Sequence, residues 1–255
     1  MEGYDLLGNI ALVKFKRNES AKSKIKQVRK LIKSRKGITT VLEKVNKIRG
    51  RLRVPTTKYI TGIKTKECLY RENNCTFRFN VESCYFSPRL ASERLEIAKN
   101  VKKSEKVLVL FGGVAPFAIV IAKIASPKKI ISVELGRECS KYALDNVKKN
   151  KANVGIIQGD VRRVLPKIKE KFDRIVMARP NLKDSFLDAA FPKIKKQGII
   201  HYYGFYNESE LDRLKGLLEK EAKKSKKKIK ILKIKKAGNI GVRQYRYRAD
   251  IEVLN

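Results

Sequence analysis

The chain is 255 residues long and 42% hydrophobic, enough for one large domain or for a small domain joined to a larger one. Its 61 Lys and Arg stand against 25 Asp and Glu, a formal net charge of +36 that exceeds what solubility requires and points to a polyanion, with a general lysine bias as the alternative. A single histidine excludes a histidine-built metal centre or a serine triad. The four cysteines, Cys68, Cys75, Cys84 and Cys139, form no C-x-x-C pair, and no charged-then-apolar leader opens the chain. A reduced cytoplasmic setting is expected.

The cations recur through 14–36, 44–53, 64–71, 102–106 and 223–236 with apolar residues between them, as on the charged faces of folded elements. Residues 1–82 read as a small basic α/β domain. "GYDLLGNIALVKF" is a strand led in by Gly8. "SAKSKIKQVRKLIKSRKG" is a helix capped by Ser20, with Ile25, Val28 and Ile32 on one face and Gly37 at its end. "TTVLEKV", "GRLRVPTTKYITG" and "KECLYRENNCTFRFNV" are strand-like, with turns at Asn46, Gly50, Gly62 and Asn73-Asn74.

From residue 83 to 255 helices and strands alternate. Ser87-Pro88 starts a helix lined by Ala91, Leu95 and Ala98. Then come strand Lys106 to Leu110, helix Phe117 to Ala125, strand Lys129 to Val133, helix Arg137 to Asn150 and strand Val154 to Gln158. Strand Asp173 to Met177, helix Ser185 to Lys195 and strand Gly198 to Tyr203 follow, the last holding a half-buried His201. The apolar run Val107 to Ala122 is broken by Gly112, Gly113 and Pro116, so it is strand, turn and helix and not a bilayer span. "NESELDRLKGLLEKEAKK" has an Asn207/Glu210 capping box with Leu211, Leu214 and Leu218 inward, and the tail alternates like an antiparallel strand pair. The alternation predicts a doubly wound sheet with ligands at the carboxyl ends of its strands.

Three such ends carry chemistry. "FGGVAPF" lets backbone approach a ligand at Gly112 and Gly113, Glu134 can accept both hydroxyls of a ribose, and Asp160 of "GDVR" can face an adenine amine. The turn lacks G-x-G-x-x-G, which argues against a dinucleotide and for S-adenosylmethionine, a nucleoside cofactor without phosphate.

"YFSPRLASERLEIAKNV", "LFGGVAPFAIVIAK", "GDVR" and "DRIVMARPNLKDSFLDAAF…GIIHYYGF" resemble the archaeal and eukaryotic tRNA (guanine-37 N1)-methyltransferase family, from about Tyr4 to the C-terminus. The resemblance implies an α/β, Rossmann-like doubly wound methyltransferase sheet (83–255) with a smaller N-terminal tRNA-contacting domain (1–82), in a shortened member without that family's separate N-terminal domain. It implies S-adenosylmethionine as methyl donor, the anticodon stem-loop of tRNA as partner, and a monomer without metal or membrane attachment. Cofactor contacts fall on Phe111, Gly112, Gly113, Val114, Pro116, Phe117, Glu134, Asp160 and Val161. Arg89 matches the arginine that faces O6 of the target base. The substrate segment is Ala178, Arg179, Pro180 and Asn181, with Arg179 a second candidate for catalysis; Tyr142 and Asn146 read as packing and surface residues.

The chain departs from the family pattern at Val109, where a carboxylate is usual, at Ala115 in place of a glycine of F-A-G-V-G-P-F, and at Ala178-Arg179-Pro180 in place of Asn-Leu-Pro. A wyosine-pathway transferase, moving methyl or aminocarboxypropyl to the tricyclic intermediate at the same tRNA position, is therefore one alternative. A non-catalytic RNA-binding protein with a degenerate cofactor site is another.

Overall fold

The computed structural model describes residues 1–45, 54–179 and 181–255, so the turns expected at Asn46 and Gly50, and Pro180, lie outside the described residues. Contacts divide the chain into two compact units, Met1–Pro88 and Arg89–Asn255. No helix among the described residues is long and apolar enough to cross a membrane.

In the first unit β1 (Gly3–Leu7), β2 (Ile10–Lys14), β3 (Thr40–Lys44) and β4 (Thr57–Gly62) form a sheet in that order, and helix α1 (Ala21–Ser34) connects the parallel pair β2 and β3. The stretch Gly3 to Phe15 is thus a hairpin and not one strand, because Gly8 takes φ +54 and turns the chain. A Cβ on Gly8 would lie 1.9 Å from the Leu69 carbonyl, so only glycine fits. Ser20 Oγ accepts the Ser23 amide at 3.3 Å, opening α1 as its sequence predicts. α1 buries Val28 and Leu31 against Ala11, Val13, Phe15 and Val41. Strands β5 (Glu67–Glu72) and β6 (Cys75–Asn80) pair across Asn73-Asn74, both left-handed as a two-residue hairpin turn requires. All four cysteines are free and buried, and burial pushes the Cys68 thiol up to about 12.

The second unit opens with a 3₁₀ turn, Pro88–Leu90, then α2 (Ala91–Lys99), β7 (Lys106–Leu110), α3 (Pro116–Ala125), β8 (Lys129–Glu134), α4 (Arg137–Lys149) and β9 (Gly155–Gln158). After it come α5 (Val161–Val164), β10 (Phe172–Met177), α6 (Leu187–Ala190), β11 (Ile194–Asn207), α7 (Leu211–Lys224), β12 (Ile229–Gly241) and β13 (Gln244–Val253). The sheet order is β12-β13-β11-β10-β7-β8-β9; β11, β10, β7, β8 and β9 run parallel, and β13 is antiparallel to both β11 and β12. The winding reverses between β7 and β10, where such sheets open a crevice at their carboxyl ends. Strand β12 is an edge, with three register irregularities and exposed Lys230, Lys233 and Lys236.

Three expectations change. The helix expected over Ser185 to Lys195 is only α6 plus a 3₁₀ turn, since Pro192 cannot supply an amide and β11 already begins at Ile194. Helix α2 buries Glu93 and Arg94 beside Ile97 and Ala98, while Ala91 and Leu95 are only half-buried, so its inward face is charged. Arg248 on β13 donates to Glu93 Oε2 at 2.7 Å and Glu96 Oε1 at 2.6 Å, Lys235 of β12 pairs with both carboxylates, and the Tyr203 hydroxyl reaches Glu93 at 3.1 Å. Lys235, then Arg248, hold Glu96 down to about 2.

His201 is 3% exposed and not half-buried. Arg174, itself held by Glu105, donates to His201 Nε2 at 2.8 Å. Nε2 must accept, so the proton sits on Nδ1 and is donated to Asp250 at 2.6 Å. The ring is therefore neutral, and burial, opposed by Asp250, lowers its pKa. Below the ordinary histidine value the unfolded chain binds the proton first, so stability present above about 6.5 is lost as the pH falls from there through the depressed folded value. Thermal unfolding checks this: the melting temperature of wild type should drop between pH 7 and pH 5 more steeply than that of His201→Gln.

Candidate functional site

Four strand ends meet the crevice. β7 runs out into Phe111-Gly112-Gly113-Val114-Ala115, and Pro116 starts α3 at its first position. Phe111, Gly113 and Ala115 have φ of 60°, 57° and 64°. The left-handed conformation at Ala115 is the physical reason a glycine is usual there, and alanine occupies it at a cost of about 1 kcal/mol. The Gly112 amide donates to the Val133 carbonyl at 3.0 Å, pinning the turn to β8. Asn146 of α4 is fully buried, not a surface residue, and its Nδ2 donates to the Val114 carbonyl at 3.3 Å. Its sequence signal was its position on the inward side of α4, with Cys139 and Ala143 at i−7 and i−3.

Glu134 ends β8 with 9% exposure. Its Oε2 accepts the Gly113 amide and its Oε1 the Gly136 amide, each at 2.7 Å, while its backbone carbonyl accepts the Gly159 amide at 2.8 Å. One residue thus joins the turns after β7, β8 and β9. Burial raises its pKa, opposed by the Gly136 and Gly113 amides. A carboxylate offers about four lone-pair sites, and the backbone amides around Glu134 do not use all of them, which leaves acceptor capacity for a ligand hydroxyl.

Asp160 caps the single turn α5 by accepting the Arg162 amide at 2.9 Å. Val161 is buried in the core, as are Val114 and Phe117, so toward the crevice they offer backbone and shape; Phe111, Gly113 and Pro116 are half-buried. Phe111 stands edge-on to Phe186, ring centroids 5.0 Å apart, and the Arg162 guanidinium lies 5.1 Å from the Phe186 ring while pairing with Asp184 and Asp188. The segments after β7, β9 and β10 are thereby clasped around Phe186.

Beyond β10, Ala178 is half-buried and Asn181 exposed. Arg179 is 5% exposed: its terminal nitrogen donates to the carbonyls of Leu182 and Asp184, and its plane lies 5.5 Å from the Tyr202 ring. Its Nε is buried with no hydrogen-bond partner. Arg179 therefore shapes the 182–186 segment from within. Arg89 is exposed in the 3₁₀ turn ahead of α2, and its Nη1 points at the Asn239 carbonyl at 3.4 Å. Asn239 pairs with Tyr245, which pairs with Tyr206 near the carboxyl end of β11, so Arg89 stands beside edge strand β12, at the end of the sheet where β11 terminates. Four residues on from Arg89, one helical turn, lies the buried carboxylate of Glu93, which the apolar periodicity of α2 did not reveal. Val109 is wholly buried between Val176 and Ser132 in the sheet register, where a carboxylate would lack water.

Residues 68–232 match the TRM5/TYW2 methyltransferase domain family. Among curated proteins, the tRNA (guanine(37)-N(1))-methyltransferase Trm5b of Pyrococcus abyssi is 34% identical, the match covering 98% of this chain and 74% of that protein. The tRNA (guanine(37)-N(1))/4-demethylwyosine(37)-methyltransferase Taw22 of Nanoarchaeum equitans is 30% identical, covering 98% of this chain and 99% of that one. Among solved structures, wild-type Trm5b of Pyrococcus abyssi superposes with a TM-score of 0.87 at 33% identity, covering 100% of this chain and 76% of that chain.

The closeness of the Gly112 turn to β8 can be tested. A Cβ on Gly112 would lie 2.1 Å from Ser132 Oγ but 3.5 Å from Ser132 Cβ. Gly112→Ala should therefore destabilise the protein by about 1–3 kcal/mol, and Ser132→Ala in the same chain should restore most of the loss, measured as a double-mutant cycle by denaturant unfolding.

Proposed function

The chain belongs to the TRM5/TYW2 methyltransferase family, and from that premise we propose that it transfers a methyl group from S-adenosylmethionine to N1 of guanine at position 37 of tRNA. The observation that carries this reading is Glu134: a buried carboxylate at a strand end that holds two turns in place and retains acceptor capacity for a ribose hydroxyl. The glycine turn offers backbone and no pyrophosphate-binding spacing, which suits a nucleoside without phosphates.

The cofactor supplies an electrophilic methyl on a sulfonium, whose sulfur leaves as a neutral thioether. The residues do the rest. Glu134 orients the ribose, Asp160 and the backbone at Val161 meet the adenine, and Phe111, Gly112, Gly113, Val114, Pro116 and Phe117 shape the methionine side. Loss of the N1 proton pushes charge onto O6 of the base, and a guanidinium fixed at Arg89 favours that oxyanion. Glu93, held by Arg248, Lys235 and Tyr203, positions the start of α2, one turn on from Arg89. The target purine leaves the anticodon loop to enter the crevice, next to Ala178, Arg179, Pro180 and Asn181. The unit Met1–Pro88 contributes tRNA contacts, and the protein works as a cytoplasmic monomer without a metal ion.

A second acceptor is favoured by one observation. Ala178 stands at the position of the asparagine usual in the family, so the side chain that would hold guanine is missing there, while Arg179 beside it turns inward to the carbonyls of Leu182 and Asp184. The Nanoarchaeum relative is named for both acceptors. Parallel assays on tRNA carrying guanosine and on tRNA carrying the tricyclic intermediate decide between one acceptor and two.

Arg89→Ala should lower kcat for methyl transfer by roughly 10²–10³-fold while the Kd for S-adenosylmethionine stays within about threefold. An equal loss in both removes Arg89 from the chemistry. Because Glu134 can accept from its backbone amides and from ligand hydroxyls on both oxygens only as the carboxylate, and its pKa is raised, cofactor affinity should fall as the pH drops through a value above 4.5, and Glu134→Gln should bind weakly with no such dependence, as calorimetry across pH will report.

A further inference from the structure

Helix α1 carries six cations, Lys22, Lys24, Lys26, Arg29, Lys30 and Lys33, and no carboxylate. Only Lys24 is answered, by Glu43 at 2.7 Å. The other five lie at i, i+4, i+7, i+8 and i+11, a single stripe that lines a shallow open groove together with Ile25. Among the described residues none of the five meets a carboxylate, and residues 46–53, outside that set, contain none by sequence. The opposite face is spent on the core through Val28 and Leu31, so the stripe faces solvent.

A lysine-rich composition alone does not explain this. On α7 the cations Arg213, Lys215 and Lys224 each pair with an acid three residues before them, and on α4 Lys141 pairs with Glu138. On α1 the stripe instead sets like charges against each other at five i,i+3 or i,i+4 spacings, an arrangement that weakens a helix. A helix face that sets cations against one another with no acid among them, where α4 and α7 interleave acids with theirs, is complementary to something outside the chain. The stripe runs for about 16 Å along the helix axis, a one-dimensional row of charge that fits a phosphate backbone better than a compact anion.

Resting on the reading of tRNA as substrate, we propose that the outward face of α1 is a docking surface for the phosphate backbone of a tRNA stem, supplying affinity without base specificity. The face sits in the unit that holds none of the proposed methyl-transfer residues, so it governs capture of the substrate and not the chemical step.

The test uses the whole chain and an unmodified tRNA transcript carrying guanosine at position 37. Binding is followed by fluorescence anisotropy from low to high salt for wild type, for Lys26→Gln/Arg29→Gln/Lys30→Gln, and for a control, Lys220→Gln/Lys223→Gln/Lys226→Gln. The α1 variant should bind about a hundredfold more weakly at ~0.1 M salt, with its log–log salt slope shallower by about 2–3, and KM for tRNA should rise in step. Its melting temperature should rise by about 2–5 °C, because like-charge contacts are removed. The control should change affinity far less. An α1 variant with unchanged slope and KM, or one that loses both affinity and melting temperature, or a control that loses as much, overturns the docking surface. Wild type that binds tRNA without transferring methyl overturns the reading of the reaction and leaves the docking surface standing.

Discussion

The carboxylate of Glu134 has almost no water around it, and burying a charge is tolerable only when donors replace that water. The donors are the amides of Gly113 and Gly136, so the cost of burial is offset only while the turns after β7 and β8 keep their positions. Reciprocally, the amide of Gly113 finds its acceptor only if the turn adopts the left-handed step at that residue. The Gly112 bond to Val133 and the Gly159 bond to Glu134 extend the same constraint across three strand ends. The crevice floor is thus fixed before any ligand arrives, which is what positioning catalysis requires.

The second organising feature is the line of charges crossing the sheet from β10 to β12. It runs from Glu105 and Arg174 through His201 and Asp250 to Arg248, Glu93, Glu96 and Lys235. Buried ion pairs add little net stability over apolar packing, yet removing one member costs about 3–5 kcal/mol because its partner is left uncompensated. Such a network specifies position more than it stabilises. Here it locks α2 against the antiparallel pair β12 and β13, and α2 carries Arg89 at its head.

Elements with a clear period or punctuation were legible in the sequence. The alternation from Lys106 onward, the Ser20 cap, the Asn73-Asn74 turn and the Asn207 capping box all stand where residue types put them. What escaped was set by distant partners. Ala91, Leu95 and Ala98 suggested an apolar face for α2; Ala98 is buried with Ile97, but Ala91 and Leu95 are not, and the buried face takes in Glu93 and Arg94, the partner of Glu93 lying 155 residues away on β13. Gly8 as a turn rather than a lead-in depends on the Leu69 carbonyl packed against it. The strand ends at Gly112, Glu134 and Asp160 could be named because ligand-facing residues in such sheets follow directly from topology. The inward turn of Arg179 leaves no periodic trace, and although the spacing of Asn146 from Cys139 and Ala143 marks it as inward, its bond to the Val114 carbonyl depends on a partner 32 residues away.

Strand β12 presents a row of unpaired backbone groups along one side of a seven-stranded sheet, thirteen residues in length. An edge that long is ordinarily a template on which another chain can add a strand and begin to aggregate. Lys230, Lys233 and Lys236 on the outside, with three breaks of register along the way, make an incoming strand bring its backbone against like charge on an uneven line. The lysine excess thereby guards a sheet edge that would otherwise offer an unbroken template.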